Sequence, residues 1–264
     1  MAKAELAVVE KFDLQTLSGT FAEAVAEEMA GLGTIPFDRI KMPSGGGIAF
    51  ELPGEDDETP ESATEIVGII LAHHPVNTYW NGVYTGERNQ PDCSSLDGKQ
   101  GVIRETGEKR ACENCPYNQF GSNGKTGKAC KNIHRIFLIR EGHPIPMILS
   151  LPPSSLKYVR DYIAKRILLK GLRCFEVVTK ISIKREKSAA GILYSRAAFT
   201  FMGKLNEKDR KEAEVMRNYV RQQYRQIDFE EELVEERKGL QSLKTEEDGF
   251  FSIPNEEAEE LPFR

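Results

Sequence analysis

The chain lacks a long apolar run. No stretch of its 264 residues approaches the ~18–20 consecutive apolar side chains that a bilayer-spanning helix needs. Residues 1–10 place no apolar segment behind a basic start, so the expectation is a soluble, cytoplasmic protein. The familiar catalytic motifs are missing too. Gly121-Ser122-Asn123-Gly124-Lys125-Thr126 has the close of a P-loop but not its earlier glycine, and it does not lie between a strand and a helix. There is no Gly-x-Ser-x-Gly elbow and no His-Glu-x-x-His. Histidines number four (His73, His74, His134, His143), so acid–base chemistry would fall to carboxylates, and none are paired in the sequence. Asp92 and Asp97 read as turn formers. The expectation is a protein without catalysis.

Cysteine is sparse but concentrated. Four of the five, Cys93, Cys112, Cys115 and Cys130, fall in the spacing Cys-x18-Cys-x2-Cys-x14-Cys. An odd count crowded into one region suits a metal site in a reducing compartment better than a disulfide framework. Pro116 after Cys115 gives a tight turn in which two sulfurs face one ion, and two further thiolates complete a tetrahedron, so one structural zinc is expected. A Cys112–Cys115 redox pair would need a βαβ setting, and the spacing matches no common ferredoxin pattern. Cys174, alone in a strand pattern, reads as a small hydrophobe. Residues 86–132 are rich in Gly, Asn, Lys and Ser, and a metal would supply the cohesion that packing cannot.

The net charge of −5 hides a division. Residues 1–65 carry −10, residues 66–227 carry +14, and residues 228–264 carry −9. A basic body between acidic ends raises the question of a polyanionic partner.

Hydrophobic periodicity predicts a helix over 20–31, a buried strand over 66–72, and a hairpin of 133–140 with 145–151. A helix from Pro152 to Lys170 follows, then a hairpin of 174–184 with 191–204, and a last helix capped by Asn206. The order contains no βαβ alternation, so a parallel sheet is not expected. The expected class is α+β, mainly β: a small antiparallel barrel of the OB-fold kind over residues 1–227, with a zinc-binding insert at 86–132 and an acidic flexible tail at 228–264.

Aromatic faces among basic side chains are what a non-specific single-strand binder needs. Tyr79, Trp80 and Tyr84 lie in a Gly- and Asn-containing segment. Phe120 sits beside Lys125 and Lys128, followed by Lys131 and Arg135. Lys180, Lys184, Arg185 and Lys187 lie on one arm of the last hairpin, and Tyr194 and Arg196 on the other. These are the candidate DNA contacts.

The chain closes with acidic residues running into Leu261-Pro262-Phe263 before Arg264. This ending resembles the C-terminal tails of bacterial and bacteriophage single-stranded DNA-binding proteins. The general plan is similar to phage helix-destabilising proteins, some of which carry zinc within an OB-fold. The resemblance implies a protein that coats and protects single-stranded DNA in replication, recombination or repair. It also implies a tail that competes with DNA for the basic body and docks replication or recombination proteins through Leu261, Pro262 and Phe263. Two other readings stand beside it: a zinc-containing nuclease or recombination factor, and a zinc-stabilised adaptor that binds only proteins.

Overall fold

A computed structural model describes residues 7–9, 12, 14, 21–33, 35–54, 59–81, 91–188 and 191–223. Its frame is one long strand, β4 (Glu65–Tyr79), with neighbours that change along its length. Earlier come a helix α1 (Phe21–Glu28) and three short strands, β1 (Arg39–Ile40), β2 (Phe50–Leu52) and β3 (Glu61–Ala63). After β4 come β5 (Cys93–Ser95), β6 (Gln100–Ile103), β7 (Lys109–Ala111), β8 (Lys131–Arg140), β9 (Met147–Leu151), the helix α2 (Pro153–Tyr162), β10 (Val177–Lys187), β11 (Leu193–Lys204) and the helix α3 (Glu207–Gln223).

Strand β8 pairs antiparallel with β4 over Gly68–Thr78 of the latter. On the other side of β4, β10 covers Glu65–Ile69 and β5 covers Asn77–Tyr79. Between these, among the described residues, β4 pairs with another strand on one side only. This is why Pro75, which cannot donate to a ladder, is tolerated inside a strand, and why β4 runs past the apolar 66–72 segment that the sequence pattern marks.

The sheet is buried on both faces, which accounts for unbroken apolar runs where one would expect alternation. Ile69, Leu71, Phe137 and Ile139 pack on one face with Val25 of α1 and Ala213, Met216 and Val220 of α3. Ile66, Ile70, Ile136 and Leu138 pack on the other with Val159 of α2 and with Phe50 and Leu52 of β2.

The architecture is mixed and strand-dominated, as expected, but among the described residues the sheet does not close into a barrel. Helix α2 packs against β11. The buried Ser155 hydroxyl accepts the Ala197 N–H at 2.9 Å, and the Ser154 hydroxyl donates to the Ser195 carbonyl at 3.2 Å. The sheet is also not wholly antiparallel, because β1 pairs with β9 in parallel through Arg39–Ile148 and Ile40–Leu149.

Local signals explain the helix ends. The Asn206 side chain accepts the Asp209 N–H at 2.9 Å and caps α3. Pro153 opens α2. The predicted continuation to Lys170 is present as a π turn (Ile163–Ile167) and a 3-10 turn (Leu168–Lys170), ended by Gly171 at φ 72. Among the described residues no helix is long and apolar enough to cross a membrane.

Candidate metal centre and its aromatic rim

Beyond the end of β4 the sheet continues as β5, β6 and β7, three antiparallel strands that carry the first thiols. Cys93 pairs with Tyr79 of β4 and with Ile103 of β6. Cys112 follows β7, its N–H bonded to the Lys99 carbonyl at 2.8 Å. Asn118 holds the next turn in place by donating from its side chain to the Cys112 carbonyl at 2.8 Å and from its backbone to Cys115 at 2.9 Å. Cys130 returns to the site by donating to the Tyr117 carbonyl at 2.7 Å.

All four of these cysteines line one cavity of about 240 Å³, with Asn77, Tyr79, Arg110 and Tyr117 among the other walls. Gly101 forms part of its floor: a Cβ there would stand 2.8 Å from the Cys93 sulfur and 3.7 Å from that of Cys112. The position is open only to glycine unless the thiols move. None of the five cysteines is in a disulfide.

The electrostatics explain what such a cluster requires. Burial pushes the Cys130 thiol up to about 12, with the charges of Cys112, Cys115 and Cys93 adding to the effect. Burial and the same neighbours raise Cys93, against the lowering influence of Arg110. Gathered thiols resist ionisation unless a cation compensates them, and a thiolate-binding metal is the group that does so. A donor set of four sulfurs suits tetrahedral Zn²⁺. Among the described residues, no three His, Cys, Asp or Glu side chains are set closely enough to hold an ion as they stand. Binding would therefore draw the thiols inward.

An aromatic pair roofs this cavity. The Tyr79 and Tyr117 rings stack with centroids 4.1 Å apart and planes 18° from parallel. Tyr117, in the turn after Pro116, escaped the sequence reading because a lone aromatic in a polar segment carries no periodic signal. Trp80 follows Tyr79, half-buried. On the neighbouring loop Phe120 is 82% exposed, with the Lys128 ammonium 5.2 Å from its ring centroid. The loop has internal order: the Asn123 side chain accepts the N–H groups of Lys125 (2.9 Å) and Gly127 (3.1 Å), and the Ser122 hydroxyl accepts that of Ala129 (2.8 Å). Lys125 is exposed and Lys131 half-buried, and no acidic residue intervenes between Asn114 and Lys131. Asp92 and Asp97 serve as turn acceptors, Asp97 taking the N–H groups of Lys99 and Gln100 at 2.8 and 2.9 Å and Asp92 that of Asn81 at 2.6 Å.

The remaining candidates lie elsewhere. Arg135 is wholly buried in β8, 0% exposed, and so is a core cation with no access to a surface ligand. Lys180 pairs with Val67 in register, twelve residues along β4 from Tyr79, which at ~3.3 Å per residue puts the hairpin cations about 40 Å from the aromatic rim. The candidate contacts named from the sequence therefore fall on two separate surfaces. In the hairpin group Lys180 contacts Glu65 at 3.3 Å, and Arg185 donates to the Gly46 carbonyl. Arg196 lies 3.8 Å over the Tyr158 ring and is paired with Glu186 at 2.5 Å, and Glu186 also accepts the Tyr194 hydroxyl at 2.9 Å. Tyr194 and Arg196 thus share a face, as expected, but their polar groups are spent on one another. Lys184 and Lys187 are exposed. Tyr84 and the tail residues Leu261, Pro262 and Phe263 lie outside the described residues.

No family model, curated protein or solved structure matches this chain.

Proposed function

We propose that the chain binds single-stranded DNA without sequence preference, and that the rim of the thiol cavity is its principal contact. The observation that carries this reading is the stacked Tyr79–Tyr117 pair beside the exposed Phe120 and its lysines. Flat rings on an ordered polar loop give bases a stacking surface, and Lys125, Lys128 and Lys131 attract the phosphates. In this reading Cys93, Cys112, Cys115 and Cys130 hold one structural zinc ion, which supplies cohesion and no reaction chemistry. The exposed Lys184 and Lys187 form a second, weaker contact for a longer strand. The acidic tail competes with DNA for the basic body and presents Leu261, Pro262 and Phe263 to replication or recombination proteins, at the high effective concentration of a tethered segment. The arrangement favours binding and protection over cleavage, since Asp92 and Asp97 are engaged by backbone N–H groups. Fluorescence anisotropy with labelled oligo-dT at low salt tests the proposal. Binding that weakens steeply with salt supports it, and an absence of binding removes it.

A further inference from the structure

A second pair of metal-donor side chains lies on the same sheet, away from the thiols. His73 of β4 and His134 of β8 are diagonal neighbours, since His73 stands opposite Ile136 and His134 opposite Pro75. The Nδ1 atom of His73 lies 2.9 Å from Nε2 of His134, with ring centroids 5.0 Å apart and planes inclined by 38°. His73 is exposed and His134 half-buried, so the pair is reached from solvent. His74 points to the opposite face, where it stacks on Phe137 and its Nδ1 contacts the Leu96 carbonyl at 2.9 Å. Burial lowers the pKa of the half-buried His134 to about 4, with the charge of His73 as second cause, and partial desolvation lowers that of His73 in the same direction although its side chain keeps access to solvent. Both imidazoles are then neutral at pH 7, the form that ligates metals.

We propose that His73 and His134 form a two-imidazole chelate for a divalent copper or nickel ion, distinct from the cysteine site. Metal–nitrogen bonds of about 2.0–2.1 Å put two nitrogens at a right angle roughly 2.9 Å apart, against roughly 3.3 Å in a tetrahedron. The observed 2.9 Å is the length of the hydrogen bond that joins the rings without an ion, and it already holds the two nitrogens within the span of a right-angle chelate, the arrangement that Cu²⁺ and Ni²⁺ favour. Without an ion, one N–H···N hydrogen bond spans the same gap. Loading needs the donor ring to carry its proton on its other nitrogen and both rings to turn, so that their lone pairs converge on the ion instead of lying along the hydrogen bond, with water completing the coordination. Six residues of β4 separate His73 from Tyr79 at the thiol cavity, about 20 Å at ~3.3 Å per residue. The inference does not depend on the DNA-binding reading.

The test is a Ni²⁺ titration of ¹⁵N-labelled full-length protein in the presence of one equivalent of Zn²⁺, followed by amide NMR and calorimetry. The expected result is one Ni²⁺ per chain, with residues 72–75 and 133–135 perturbed first. Affinity should fall roughly tenfold or more in either H73N or H134Q, which keep a hydrogen-bonding atom but lose the imidazole. First perturbation within residues 93–130, or unchanged affinity in both variants, would overturn the proposal. Should H134Q fail to fold by thermal melting, the exposed H73N decides alone.

Discussion

The ring of Tyr79 rests on the ring of Tyr117, 4.1 Å between centroids, and each is tied to the thiol site by its own strand or turn. Tyr79 stands opposite Cys93 in the β4–β5 ladder. Tyr117 lies two residues after Cys115, and its carbonyl accepts the Cys130 N–H at 2.7 Å. The surface offered to a base is therefore shaped by how the four sulfurs are held, a coupling that neither ring would have in an ordinary apolar core.

Gly101 is the most direct handle on that coupling. Its substitution by alanine brings a methyl group within 2.8 Å of the Cys93 sulfur. G101A is expected to hold less than one zinc per chain by native mass spectrometry and to show an altered tyrosine signal in near-ultraviolet circular dichroism. Full zinc content with an unchanged spectrum would show that the cavity floor does not position the thiols.

Stability should fall in mild acid. Burial, and secondarily the Arg135 charge, lowers the His74 pKa from 6.5 to about 4. The folded state thus binds the proton less readily than the unfolded chain. The resulting stabilisation is complete above pH 6.5 and is lost as pH falls toward 4, and it amounts to roughly 3 kcal/mol for this one group. His134 is displaced in the same direction. Urea midpoints measured between pH 7.5 and 4 should decline across this window, and H74F should flatten the decline. A profile identical in the two proteins would remove His74 as its source.

Much of this arrangement was legible from residue order. The Cys-x18-Cys-x2-Cys-x14-Cys spacing located a site whose sulfurs the fold gathers around one cavity, and the β10–β11 hairpin follows from the residues that bracket its turn. What escaped did so for physical reasons. The sequence pattern marks a strand only over 66–72, yet β4 continues through Pro75, where among the described residues it pairs with another strand on one side only. Arg135 reads as a surface cation, since one charged residue in an apolar strand looks the same in sequence whichever face it takes. The barrel was inferred from a count of strands, whereas the Ser155–Ala197 contact that sets α2 against β11 leaves no trace in periodicity.

That contact is itself testable. Ser155 is fully buried and its hydroxyl accepts the Ala197 N–H. S155A would leave the donor without its partner, at a cost of about 1–3 kcal/mol in unfolding free energy by chemical denaturation. A change below ~0.5 kcal/mol would mean that water or a local shift replaces the bond.

Removal of residues 240–264 takes away seven of the thirteen acidic residues that follow Gln223, along with the Leu261-Pro262-Phe263 tip. If the tail competes with DNA, the truncated chain should bind oligo-dT several-fold more tightly at low salt than the full chain, and the gap should close as salt rises. Equal or weaker binding by the truncated chain would limit the tail to partner recruitment.

The central claim, that single-stranded DNA is held on the aromatic rim of the thiol cavity, is tested most directly by comparing the wild-type chain with Y117A/F120A in oligo-dT anisotropy titrations at low salt. The wild type should bind at micromolar concentration or below, and the double variant, zinc content intact, should lose roughly 30-fold or more, since each of the two stacked bases is worth about 1–3 kcal/mol. Equal affinity in the two proteins, or no binding by the wild type, would contradict the account.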